Sequence, residues 1–454
     1  MILYLVSNSP GEVSTFVKPM VGAIRERHPD WEIQVCLVPC PYATGAETRV
    51  ITSWPESPAV WSPWQTTKAW WRGTGRGREG AVVFLGGDPW HALLLKHRFD
   101  MPSLAYFPEP SRWEKTRWLG GFDRVAIGYS AGESDGLRMS ESDGPRTDES
   151  GGLRAGESDG LRADESDGLR VGVGDGLRAG ESHGTRADES DGPRAGESGG
   201  LRVGVGDLRV DAVTKALALH SSPDSSKLTL ALFPGSRWIH LKAVLGSFLK
   251  VVDDLARDDI EVLLAASPFI SRQNLANAAA HPWKLGVSQV RSELRQDTLF
   301  TEKGSEVHVV WGNPYEVMAR CDLALSLPGT NTAELAIAGK PTVVPLSFKA
   351  PVGGGGLLGI LERLPGLQSL KRHLRARKKN RIKLVALPNQ LAGRVVMPEF
   401  IVQDDLRDLS DFMSDLLDDA SRRAAIGTEA RQVMGPPGAA DRLVDEIERL
   451  PMRG

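Results

Sequence analysis

The sequence predicts an α/β protein in two halves, each a parallel sheet wrapped by helices, with a cleft between them. Three observations carry that prediction. Strand-length apolar runs alternate with helical stretches from Met1 onward, and again after residue 205. Each half follows its first strand with a glycine turn, N-S-P-G-E-V-S in one and P-G-S-R (Pro234 to Arg237) in the other. The stretch Asp322 to Pro345 then spells out a complete strand, tight turn, short helix and strand.

Taken in order, Met1 to Ser7 is the first strand, with a helix through Val17 to Arg27 and a second strand at Glu32 to Val38. From Ile51 to Arg78 periodicity fades, and Trp54, Trp61, Trp64, Trp70 and Trp71 lie among Pro, Ser, Thr and Arg. Such a stretch is either a loop packed on the domain or an interfacial anchor, because tryptophan favours a half-wet setting. Ala81 to Gly87 is a buried strand ending at Asp88; a helix from Pro89 to Arg98 and strands at Ser103 to Phe107 and Arg124 to Ile127 follow.

Ser130 to Gly204 differs in kind. An arginine recurs every eight residues from Arg138 to Arg202, in a unit close to A-G-E-S-D-G-L-R. One small apolar position per unit cannot offset the entropy of ordering the chain, so an exposed, disordered insertion is expected. The globular pattern resumes with strands at Lys227 to Phe233, Ile260 to Ala266 and Val307 to Val310, and a helix at Leu241 to Asp254. In the stretch from Asp322, the run Leu323 to Leu327 is a buried strand, Thr330 or Asn331 caps a helix stopped by Gly339, and Thr342 to Leu346 is the next strand. The helix start carries unpaired N–H groups and the positive dipole end, which suits a diphosphate; the plainer alternative is a simple connection. Val352 to Lys383 sets apolar residues beside a dense basic run, either a segment lying on anionic lipid or a solvated basic face. The C-terminus is helical from about Leu406, broken at Gly435 to Gly438. The bounds that follow are a first domain over 1–129, the insertion over 130–204, a second domain over 205–435, and a terminal helix over 436–454 able to pack back on the first domain.

Composition narrows the function. A net charge of −3 over 454 residues gives no nucleic-acid footprint, and Cys36, Cys40 and Cys321 lack the paired spacing of a zinc site. They are expected to be reduced thiols of a cytoplasmic protein. No run approaches the ~20 apolar residues that a membrane-spanning helix needs.

Three blocks together resemble the lipid-A-disaccharide synthases, membrane-associated glycosyltransferases with two facing Rossmann-like domains, the GT-B fold. They are L-F-P-G-S-R (Leu232 to Arg237), P-G-T-N-T-A-E-L-A (Pro328 to Ala336) and L-P-N-Q-L-A-G-R-V-V-M-P-E (Leu387 to Glu399), with fainter echoes in G-E-V-S (Gly11 to Ser14) and F-L-G-G-D (Phe84 to Asp88). The resemblance implies inverting transfer of 2,3-diacylglucosamine from its UDP derivative to 2,3-diacylglucosamine 1-phosphate, without metal ion or cofactor. Its partners would be a UDP-sugar donor, a lipid monosaccharide acceptor and the cytoplasmic face of the inner membrane, with no nucleic acid. Asp88 falls on the general base and Arg237 on the arginine beside the donor diphosphate. Gly11, Glu12, Ser14, Ser236, Gly329, Thr330 and Thr332 fall in substrate-binding turns, Glu334 on the ribose contact, and Asn389 and Gln390 in the block that closes the cleft.

Taken singly, Asp88 is as well explained as a helix N-cap, and Arg237 or Glu334 as a surface ion-pair residue. The sequence also departs from the family pattern. Thr15 and Phe16 stand where the first turn has Gly-Asp, His91 where a second aspartate follows the base, and Pro328 where the third turn has serine. Two other readings therefore stay open: a UDP-sugar transferase with a different acceptor, and a nucleotide-sugar-binding relative without turnover. The presence of Asp88 speaks against the latter.

Overall fold

The computed structural model describes residues 1–40, 43–109, 119–129, 201–220, 227–283, 288–347, 384–402 and 405–452. Most of the repeat insertion and the basic stretch Val352 to Lys383 lie outside the described residues.

The first sheet has seven parallel strands in the order β3-β2-β1-β4-β5-β6-β7. They are β1 (Ile2–Ser7), β2 (Glu32–Leu37), β3 (Ala59–Trp61), β4 (Gly80–Phe84), β5 (Ser103–Phe107), β6 (Arg124–Ile127) and β7 (Leu201–Gly204). All six residues of β1 and all five of β4 are buried, the mark of strands covered on both faces. One face packs Leu3, Leu5 and Val35 under α1 (Lys18–Arg27); the other packs Tyr4, Val6 and Val82 under α3 (Pro63–Arg72) and α4 (Pro89–Phe99). Between β2 and β3 lies α2 (Glu47–Thr52).

Two features depart from the sequence reading. The tryptophan-rich stretch, read as aperiodic, contains strand β3 and helix α3. Ser62 caps α3, accepting from Gln65 N while its own amide donates to Gln65 Oε1, and Pro63 opens the first turn. The reading of 130–204 as wholly insertion also fails at its end. Leu201–Gly204 runs parallel to Arg124–Ile127 as the seventh strand.

The second sheet has eight strands in the order β10-β11-β12-β9-β8-β13-β14-β15. These are β8 (Leu228–Phe233), β9 (Ile260–Ala266), β10 (Ser292–Arg295), β11 (Thr298–Thr301), β12 (Glu306–Trp311), β13 (Leu323–Ser326), β14 (Thr342–Ser347) and β15 (Glu399–Val402). Only the β10–β11–β12 edge is antiparallel, a hairpin the sequence reading omitted. The helices are α5 (Leu208–Leu217), α6 (Trp238–Leu255), α7 (Arg272–Ala280), α8 (Pro314–Arg320), α9 (Thr330–Ile337), α10 (Leu387–Ala392), α11 (Arg407–Asp418), α12 (Ala420–Val433) and α13 (Ala439–Glu448). The last returns to the first sheet, burying Leu443, Val444 and Ile447 in its core, while Glu446 pairs with Arg124.

Candidate functional site

In a doubly wound sheet, ligands sit beyond the carboxyl ends of the strands where strand order reverses. In the first sheet that point lies between β1 and β4, and in the second between β8 and β13. The four expected turns follow those four strands: G-E-V-S after β1, G-G-D after β4, P-G-S-R after β8 and P-G-T after β13.

The turn after β1 enters its helix through Pro10–Glu12 and a five-residue π-helical turn, Val13–Val17. Such turns recur at functional sites because the extra residue redirects side chains. Thr15 is buried and donates its hydroxyl to the Gly11 carbonyl at 2.7 Å. Phe16 is buried too, edge-on to Tyr106, with the Arg209 guanidinium 5.7 Å from its ring centre. Of these two departures from the family pattern, Phe16 belongs to the core, while Thr15, though buried, borders the cavity between the two halves. Glu12 packs against Gly86, where a Cβ would stand 2.7 Å from its carboxyl carbon. Asp88 occupies the N-cap position of α4, yet its carboxylate makes no cap hydrogen bond and is exposed. His91 stacks on Trp90 at 3.9 Å, and burial lowers its pKa.

Across the cleft, Gly235 (φ +94°) and Gly329 (φ +151°) adopt backbone conformations closed to most side chains. Gly329 lets the chain turn sharply from β13 into α9, whose first residue, Thr330, reaches the opposite turn. A Cβ on Gly11 would lie 2.9 Å from Thr330 Oγ1. Arg237 stands half-buried at the start of α6, and its charge, after burial, is the second influence lowering the pKa of His240.

Between the turns lies a cavity of about 870 Å³, lined by Gly11 and Ser14 from one half and by Ser236, Thr330 and Glu334 from the other. Its size falls within the range of small-molecule sites. The remaining expected residues are not in its wall: Glu12 and Asp88 stay on the first-sheet side, Arg237 and Gly329 on the second. Thr332 is buried, its hydroxyl donating to the Gly329 carbonyl at 2.7 Å, so it shapes the turn rather than meeting a ligand.

Glu334 is the chemically distinctive wall residue. It is buried, and Tyr315 donates its hydroxyl to Glu334 Oε1 at 2.9 Å. Burial raises its pKa; the Tyr315 hydrogen bond and the charge of Arg209 offset part of this, leaving it at about 7. Arg209 is itself buried, held by Asp207 and, at 2.9 Å, by Glu109. Burial works against its charge, and those two carboxylates more than compensate.

The most family-specific block behaves otherwise than expected. Asn389 is fully buried and its amide is saturated: Nδ2 donates to the Met397 carbonyl and to Glu399 Oε1, each at 2.8 Å, and Oδ1 accepts from Val396 N and Met397 N. Glu399 Oε1 also accepts from Val385 N and Ala386 N. Gln390 is exposed and donates to the carbonyls of Leu384 and Val385. Asn389 is thus an internal tie that sets β15 against α10, and neither it nor Gln390 is among the residues lining the cavity.

The sequence reading missed other wall residues: Lys18, Asp211, Lys215, His220, Asn313 and Tyr315. Asn313 had a signal, since G-N-P after a strand is the start of a helix, with Asn as cap and Pro at the first position. Lys215 had none, because only the tertiary fold pairs it with Glu26 across the cleft.

Comparison with known proteins agrees with the motifs. Residues 214–350 match the profile of the lipid-A-disaccharide synthetase family. The lipid-A-disaccharide synthase of Anaeromyxobacter sp. (strain K) is 29% identical over 229 residues, 49% of this chain and 49% of that protein. That of Syntrophotalea carbinolica is 26% identical over 252 residues, 53% and 51% of the two chains. This chain thus aligns over about half the length of the curated relatives it matches. Among solved structures, a UDP-N-acetylglucosamine 2-epimerase described as putative, from Listeria monocytogenes, superposes with a TM-score of 0.54 at 9% identity, over 99% of this chain and 96% of that one. The architecture is GT-B, as the motifs implied, and over residues 214–350 the chain is similar to the family whose motifs it carries.

Proposed function

We propose that this chain, a relative of the lipid-A-disaccharide synthases in its second half, is an inverting glycosyltransferase that uses a UDP-sugar. Its donor would be UDP-2,3-diacylglucosamine and its acceptor 2,3-diacylglucosamine 1-phosphate. One observation carries the reading: four motif turns sit at the two strand-order reversals, and the two halves meet across one cavity, Gly11 against Thr330.

In this reading the start of α9 and the Arg237 guanidinium take the donor diphosphate, neutralising the charge that builds on the leaving UDP. Glu334 accepts from the ribose hydroxyls, in the form ionised above about pH 7. Asp88 takes the proton of the acceptor hydroxyl as that oxygen attacks the sugar carbon and the UDP oxygen departs. Its uncapped, exposed carboxylate suits a base that waits for substrate.

A lipid acceptor has a surface to come from. Along α3, Trp64, Lys68 and Trp71 follow one another at i, i+4 and i+7, and the two indoles are 73% exposed. Trp90 on the neighbouring helix is 40% exposed. Aromatic rings beside a cation fit the headgroup layer of an anionic bilayer, and no helix among the described residues is long and apolar enough to cross one.

The test is incubation with the two lipid monosaccharides followed by mass spectrometry for a β-1,6-linked disaccharide and UDP. A second reading has its own observation: where the family pattern has Gly-Asp, Thr15 ties its hydroxyl to the Gly11 carbonyl and Phe16 packs into the core, so the acceptor side differs from that pattern. Turnover with another acceptor and none with the lipid would favour it. Failure to bind any UDP-sugar would sink both.

A further inference from the structure

The helical segment after the first turn lays a stripe of residues along the cavity, beginning opposite Thr330 and leading away from it. Gly11, Ser14, Lys18, Gly22 and Glu26 recur about once per turn, and all five line the wall. Lys215 reaches the same stripe from α5. Its Nζ lies over Gly22, 3.6 Å from where a Cβ would stand, and pairs with Glu26. Lys18 is exposed and, among the described residues, has no ion-pair partner.

The cavity is otherwise acidic, and most of its carboxylates are engaged. Glu26 holds Lys215, Asp211 accepts from Gly438 N and Ala440 N, and Glu334 accepts from Tyr315. Glu56 and Asp441 also line it, from other elements. Along the stripe itself two ammonium groups stand against one carboxylate, an excess of positive charge. Long side chains on a helix lean toward its N-terminus, which carries the Lys18 ammonium toward Ser14.

We infer that Ser14, Lys18 and Lys215 form a second anion subsite, apart from the diphosphate turns, that takes the phosphomonoester of the acceptor. The inference rests on the proposed function, whose acceptor carries that group. A phosphomonoester bears a charge of about −1.5 to −2 at neutral pH and has three terminal oxygens. It can accept from one hydroxyl and two ammonium groups at once, where a carboxylate has a single charge and two oxygens. Lysine suits the task as a point charge on a flexible stem.

The test is initial-rate kinetics of the full chain at saturating UDP-2,3-diacylglucosamine. The acceptors are 2,3-diacylglucosamine 1-phosphate and the same sugar without its phosphate, with inorganic phosphate as competing anion. Lys18→Met and Lys215→Met should each raise KM for the phosphorylated acceptor about fivefold, the worth of an exposed charged contact, and less at high salt. Both should weaken inhibition by inorganic phosphate to a similar degree, and Lys18→Arg should restore most of it. UDP affinity, kcat and any turnover of the unphosphorylated sugar should stay within about twofold of wild type. Several results would overturn the inference while the proposed function stands. One is KM rising equally for both acceptors, which makes the stripe structural. Another is lost UDP affinity with an unchanged acceptor KM, which assigns the lysines to the donor. A third is weakened phosphate inhibition with that KM unchanged, which leaves a site for free anion alone. If the wild type joins neither acceptor to the donor, the proposed function fails first and the subsite with it.

Discussion

The two reversal points of this molecule are built alike and used differently. After β8 and β13 the motif glycines make the turns, and the residues beside them, Ser236 and Thr330, face the cavity. After β1 the corresponding turn gives Phe16 to the core and ties the Thr15 hydroxyl to its own Gly11 carbonyl, while Pro10, Gly11, Ser14 and Thr15 line the wall. The profile match falls in the second half, at residues 214–350. Binding a diphosphate asks for backbone N–H groups and tight turns, which tolerate little change. An acceptor pocket is made of side chains, and side chains can be exchanged for core packing without losing the sheet.

That contrast can be broken most decisively at Asp88. If the first half still supplies the general base, Asp88→Ala should lower the turnover rate by about 10²- to 10⁴-fold, with UDP-sugar affinity nearly unchanged. A rate close to wild type would move catalysis elsewhere. Next in size is Asn389, which the structure assigns to architecture. Asn389→Ala should cost about 3 kcal/mol in chemical denaturation, since it strands two buried amides and removes one of the donors to Glu399. Weakened nucleotide binding without lost stability would return Asn389 to the ligand.

Glu334 gives a pH-dependent test of the second half. Its folded pKa, about 7, lies above the ordinary carboxylate value, so the folded state holds a proton that the unfolded state releases. Its contribution to stability is present at low pH and is lost as pH rises through roughly 4.5 to 7. Glu334→Gln should flatten that fall, gaining on the order of 2 kcal/mol relative to wild type between pH 5 and pH 8. Parallel stability profiles for the two proteins would show that burial does not perturb this carboxyl. The smallest effect is expected at Arg237, where Arg237→Ala should weaken UDP-sugar binding about tenfold, more at low salt than at high. Unchanged affinity would remove it from the donor side.

Much of this was legible in the chain. The buried strands declared themselves because apolar runs of strand length have few other uses, as at Ile2–Ser7 and Leu323–Ser326. Helix α3 was hidden by its tryptophans, which blur the apolar period, although Ser62, Pro63 and Gln65 spelled its start. The L-P-N-Q block was recognisable for its rarity, but rarity does not say whether a polar residue faces a ligand or its own backbone.

By itself, then, the sequence determined which turns follow which strands, because glycines and strand-length apolar runs act locally. It also carried the resemblance to the lipid-A-disaccharide synthases, through residues whose order needs no fold to be read. Only the tertiary structure decided which of those residues share a cavity. Glu334 near neutrality, Asn389 turned inward and Lys215 reaching Glu26 all depend on burial and on partners distant in the chain. Desolvation and hydrogen-bond pairing are properties of a place in space, and no local pattern of residues encodes them.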